Sequence, residues 1–182
     1  MRVDCFDLET TNLKATFGHI LCGCFLPMDP ASAELVIFRL DDKAYRNRRD
    51  LADDSKMAIA IRDYMEKSFA WVGWYSKMFD VGFLQTRLLK CGADPLERRM
   101  HIDLIYYARR PNLALHSSRL DAVAKTFKLS EQKTELNPDI WNAAFQLDRE
   151  AMDYVVEHCT QDVRVLKEVF DILSPFIRNI HY

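Results

Sequence analysis

Apolar residues recur along this chain in two rhythms, and the change from one to the other divides it. Residues 2–9, 20–26 and 35–40 alternate or run apolar and are rich in β-formers. Short connections containing Gly18, or Pro27 and Pro30, separate them, which predicts a three-stranded antiparallel meander. From residue 53 the rhythm becomes helical, with Met57, Ile61 and Met65 on one stripe of a helix over 53–69, after an Asp/Ser cap. Residues 70–74 predict a short buried strand. A helix over 79–91 carries Phe83, Leu84 and Leu88 and stops at Gly92. Residues 100–105 predict another strand, and 118–127, 140–145 and 149–173 are helical. Meander followed by alternating helix and strand gives an α/β fold: one domain spanning 1–182, with a mixed five-stranded sheet of three antiparallel and two parallel strands, flanked by helices.

Composition narrows the class without changing that picture. A length of 182 residues suits one core and is short for two. The 49% hydrophobic and 29% charged content is that of an ordinary soluble globule. No window approaches the run of about 20 apolar residues that a membrane helix needs, so no membrane partner is expected. The chain opens directly on a strand pattern without a signal-peptide signature, which predicts a cytoplasmic protein. Five cysteines, Cys5, Cys22, Cys24, Cys91 and Cys159, are scattered, with Cys22 and Cys24 as the only close pair. That spacing argues for buried reduced thiols and against a zinc site. The net charge of −2 excludes a polyanion binder held by bulk positive charge. Local basic clusters at Arg46, Arg48 and Arg49, at Arg98 and Arg99, and at Arg109 and Arg110 read as solvated surface.

The candidate chemistry lies in three segments. In a strand, residues two apart share a face, so Asp7 and Glu9 project together at the end of the first strand. Two adjacent carboxylates near a core are costly unless a cation sits between them, although both could also lie wet beyond the strand end. The long helix carries a stripe of Val155, Cys159, Val163, Leu166, Val169, Phe170 and Leu173. Asp162 and His158, four residues apart, fall on that core-facing side. A buried Asp needs hydrogen bonds, a cationic partner or a metal, and an Asp–His pair satisfying itself stays open. The third segment runs from Gly73 to Asp80, where Asp80 opens a helix and would act favourably on its dipole whatever else it does.

In this order and spacing, the three segments resemble the DEDD superfamily of 3′–5′ exonucleases, built on the ribonuclease H-like fold. Asp7 and Glu9 in Asp-Leu-Glu-Thr-Thr match its first motif. Phe79-Asp80 followed by Phe83-Leu84 matches the second, and His158-Cys159-Thr160-Gln161-Asp162-Val163 looks like the third. Segments 101–104 and 120–124 resemble its connecting regions. The resemblance implies hydrolysis of phosphodiester bonds from the 3′ end of single-stranded DNA or RNA. It implies two Mg²⁺ or Mn²⁺ ions about 3.5–4 Å apart, held by Asp7, Glu9, Asp80 and Asp162. Asp7 is expected to bridge the ions, Asp162 to complete the site that activates water, and Glu9 and Asp80 to serve the second ion. Glu9 is also expected to meet the 3′-hydroxyl, with the Thr10 backbone and the Leu13 side chain holding the last base. The implied substrate is a nucleic acid with a free 3′ end, and a replication or repair protein is an implied associate.

Two departures shape the expectations. The superfamily orients its water with Tyr-x-x-x-Asp or His-x-x-x-x-Asp, whereas this chain has His158-x-x-x-Asp162. His158 is taken as the general base, since an imidazole with a pKa near 6.5 suits the task better than a phenol near 10. Tyr154 lies two turns before Asp162, and His158→Ala should cut turnover far more than Tyr154→Phe. Tyr75 stands where relatives often carry asparagine. With Trp74, and with Phe79 beside it, it either stacks on a single strand or packs in the core. Two other functions fit the same fold: a weak or inactive nucleic-acid-binding or scaffold module, and a structure-specific endonuclease.

Overall fold

The computed structural model describes residues 1–29, 34–129 and 137–177; Pro30, predicted to separate two strands, lies outside them. The meander forms as β1 (Val3–Thr10), β2 (Ile20–Pro27) and β3 (Val36–Arg39). Then come α1 (Ser55–Met65), β4 (Ala70–Gly73), α2 (Asp80–Lys90) and β5 (Met100–Asp103). Helices α3 (Leu120–Phe127), α4 (Pro138–Phe145) and α5 (Arg149–Leu173) follow. The five strands make one mixed sheet in the order β3-β2-β1-β4-β5. β1 sits in the middle, antiparallel to β2 and parallel to β4, as the patterning predicts.

The period of two assigns the faces. Phe6 stacks on Phe25 across β1 and β2, and Phe25 packs against Tyr64 of α1, so this face of the sheet lies under α1. The alternate positions look the other way. The Cys24 thiol reaches the Val156 carbonyl and the Thr160 hydroxyl of α5, and Cys159 of that helix reaches Asp7. The sheet is therefore covered on both sides, and its core is continuous through β1.

Several predicted boundaries moved by a few residues, and local contacts account for the changes around α1 and β5. Helix α1 ends at Met65, not 69, because the chain must turn into β4: the Phe69 N–H donates to the Arg2 carbonyl, and the Trp71 indole donates to the Met65 carbonyl. The expected Asp cap divides in two. Asp53 accepts from the Ser55 N–H, while Asp54 turns inward and takes the Ile20 N–H and the Arg87 guanidinium. The strand expected over 100–105 stops at Asp103 and passes into a short 3₁₀ turn, Leu104–Tyr106. The stop at Gly92 holds, with φ at +76°, a conformation that glycine adopts freely. No helix among the described residues is long and apolar enough to cross a membrane.

Candidate active site

The site grows from the end of β1. Asp7 and Glu9 are both half-buried on the face that α5 covers. The Cys159 thiol donates to the Asp7 carbonyl at 3.4 Å and lies 3.5 Å from its carboxylate Oδ2. One residue earlier on α5, His158 is 2% exposed and points Nε2 at Glu9 Oε1, 3.7 Å away. Asp162, also buried, follows one turn later. Glu9, His158 and Asp162 bring their metal-binding atoms within 4.8 Å of one another. The helical stripe that placed Asp162 and His158 toward the core thus meets the strand face that placed Glu9.

Asp80 approaches from β4. That strand ends at Gly73 and pairs with β1 only over Val3–Cys5, so the β1 backbone beyond Cys5 lacks a strand on that side. The Asp80 carboxylate takes up the vacant edge, Oδ1 accepting from the Leu8 N–H at 3.1 Å. It is 4% exposed. Burial pushes its pKa up to about 7, and the negative charges of Asp103 and Asp162 add to the rise. The cluster lies toward the carboxyl ends of the parallel strands, where open α/β sheets place their ligands.

Carboxylate oxygens gathered in one place form a donor set for a hard divalent cation, and a buried acid whose pKa its acidic neighbours help to raise gains from a cation beside it. The described residues therefore fit the implied metal. Glu9, His158 and Asp162 form the tight trio, the Asp7 carboxylate lies against the Cys159 thiol, and the Asp80 carboxylate meets the β1 backbone.

The expected substrate contacts separate into two kinds. Leu13 is 80% exposed on the loop after β1, beside an equally bare Phe17. Tyr75 is exposed at a φ of +60°, in the turn that leads to Asp80. Phe79, by contrast, is half-buried and packs against Phe83. Trp74 is likewise half-buried against the core, and Trp71 and Phe69 belong to the β4 side. The Thr10 carbonyl accepts from the Trp141 indole at 3.4 Å. Tyr154 is half-buried one turn before His158.

Two participants escape sequence reasoning. Trp141 on α4 sets its ring perpendicular to that of His158, with centroids 5.9 Å apart, and ties α4 to the end of β1. Asp103 is 1% exposed, and its carboxylate accepts the N–H groups of Tyr75 and Lys77 at 2.7 and 3.0 Å, fixing the turn that carries Asp80. Asp103 falls within segment 101–104, read as resembling a connecting region of the superfamily, but that reading assigned its carboxylate no role.

Comparison with curated proteins gives no match. In fold the chain is similar to the family B DNA polymerase from the hyperthermophilic archaeon Pyrobaculum calidifontis, with a TM-score of 0.75 at 18% identity. The likeness covers 97% of this chain and 25% of the polymerase, so the chain spans about a quarter of that protein's length. A family model described as RNase_H superfamily matches residues 5–174, a stretch that holds Asp7 and Glu9 of β1, the β4–α2 turn and α5 together. The chain belongs to the RNase H superfamily.

Proposed function

We propose that this protein is a divalent-metal-dependent nuclease, specifically a 3′–5′ exonuclease acting on single-stranded DNA or RNA, with residues 1–182 as one exonuclease domain. The observation that carries the reading is the convergence of Glu9, His158 and Asp162 within 4.8 Å, with Asp7 on the same strand face and Asp80 against the same strand's backbone. Membership of the RNase H superfamily and a fold similar to that of a DNA polymerase support a nucleic-acid substrate.

Asp7, Glu9, Asp80 and Asp162 would hold two Mg²⁺ or Mn²⁺ ions. The chemistry such ions supply when bound is charge neutralisation at phosphate and activation of water for in-line displacement. The rest falls to side chains of this chain. His158, buried beside Glu9, accepts the proton from the attacking water. Trp141, packed perpendicular to the His158 ring, holds its plane. The Thr10 backbone, pinned by the Trp141 indole, and the exposed Leu13 receive the terminal base; Tyr75 and Phe79 flank the strand. Association with a replication or repair protein, in the cytoplasm, belongs to the same reading.

The test is a time course on 3′- and 5′-labelled single-stranded DNA and RNA in Mn²⁺ and in EDTA, with Asp162→Ala as control. Stepwise shortening from the 3′ end, lost in EDTA and in the variant, is expected. Failure to shorten either polymer in Mn²⁺ refutes the proposal, and cleavage of circular strands replaces it with an endonuclease.

A further inference from the structure

On the α5-facing side of the sheet, next to the carboxylates, three thiols converge. Cys22 and Cys24 are two apart on β2 and therefore project on the same face. Cys159 of α5 comes down against both. All three are 0% exposed and free, and their sulfurs lie within 4.8 Å of one another. We propose that Cys22, Cys24 and Cys159 form a binding site for one thiophilic d¹⁰ cation, of the Zn²⁺ and Cd²⁺ class, with the Asp7 carboxylate as the oxygen that completes it.

The dimensions suit such an ion. Zn–S bonds of about 2.3 Å in a tetrahedron put the sulfurs about 3.8 Å apart, so closing the observed triangle takes side-chain adjustments of an ångström or less. The fourth vertex has a donor at hand, since Asp7 Oδ2 lies 3.5 Å from Cys159 Sγ. The Thr160 hydroxyl, 3.7 Å from Cys24 Sγ, supplies a supporting partner in the next layer. Ligand softness separates this site from its neighbour: three sulfurs select a thiophilic ion, whereas the carboxylates around Glu9 select a hard one. The spacing along the chain hides the site, because its ligands come from β2 and from a helix more than a hundred residues later.

Binding would clamp β2 to α5 and draw Asp7 toward sulfur. The second effect bears on catalysis only under the nuclease reading; the thiolate site does not depend on that reading.

The full chain, reduced and stripped of metal, is titrated with Cd²⁺ in excess Mg²⁺ while the near-ultraviolet thiolate-to-cadmium charge-transfer band is followed. The band is expected to saturate at one equivalent, to vanish in Cys24→Ser, and to persist in Cys91→Ser, whose thiol is exposed and remote. X-ray absorption of the wild-type chain with one equivalent of Zn²⁺ needs no variant to fold, and it should show three sulfurs at about 2.3 Å and one lighter ligand. The absence of a band, a band that depends on Cys91, or a shell of oxygen and nitrogen alone overturns the proposal. None of these readouts uses nuclease activity, so the two proposals fail independently.

Discussion

Replacing Asp103 by alanine tests how the turn before Asp80 is held. The Asp103 carboxylate is almost fully buried and accepts from Tyr75 N–H at 2.7 Å and Lys77 N–H at 3.0 Å, with a longer contact from Ile105 N–H at 3.4 Å. Hydrogen bonds to an ionised acceptor contribute about 1.5–3 kcal/mol each, so the two short ones amount to about 3–6 kcal/mol. Burial works against them and raises the Asp103 pKa above the ordinary carboxylate range even so. The net loss in Asp103→Ala is therefore expected at about 2–4 kcal/mol, with two backbone N–H groups left without their acceptor. With a urea m-value of about 2 kcal/mol per molar, the unfolding midpoint should fall by about 1–2 M. Amide exchange at Tyr75 and Lys77 should quicken more than exchange within α5. Asp103→Asn, which keeps one carbonyl but turns an amide N–H₂ toward a donor, should recover less than half of the loss. A midpoint shift below about 0.3 M, with both amides still protected, would refute the assignment of this carboxylate as the holder of the turn.

Other parts of the fold give equally direct expectations. Arg87→Met leaves the Asp54 carboxylate buried with the Ile20 N–H as its remaining donor, and should cost about 3–5 kcal/mol in thermal or chemical unfolding. The double variant Arg87→Met/Asp54→Leu should regain most of that loss, and a double variant as unstable as the single one would contradict the ion-pair account. His101 is held neutral: burial, then the Lys77 charge, lowers its pKa from 6.5 to about 4. Because the folded value is the lower one, its contribution is complete above pH 6.5 and is lost as pH falls toward 4, up to about 3 kcal/mol. The stability difference between the wild type and His101→Asn should narrow over that window, and a constant difference would show that the ring is not kept neutral. Under the proposed function, His158→Ala should lower turnover far more than Tyr154→Phe in a steady-state assay, and equal small effects would remove His158 as the base.

The sequence made the architecture legible because both rhythms are strong here. The α5 boundaries follow from a clean stripe of small and branched apolar residues, and β1 and β2 follow from continuous β-formers between turn residues. Boundaries failed where tertiary contacts decided them. Asp54 reads as a helix cap until Arg87, thirty-three residues away, claims it. The site was half legible. Periodicity alone put Asp162 and His158 inward and Asp7 beside Glu9, but it cannot say which strand atom a helix atom will meet. Only the structure shows that His158 stands opposite Glu9. Trp141 and Asp103 act through a ring contact and a backbone turn, and neither leaves a mark in the spacing of residue types.

The distance along the chain between the two halves of the site also sets a clock. Asp7 meets Cys159 across 152 residues, and no earlier element supplies the groups that α5 brings. At about 5–20 residues per second, a ribosome completes β1 some 8–30 s before α5 emerges. During that interval the growing chain can form its meander and α1, yet it has no assembled acid cluster. The same interval leaves the apolar face bearing Cys22 and Cys24 bare, so the newborn chain is adhesive until its last long helix docks.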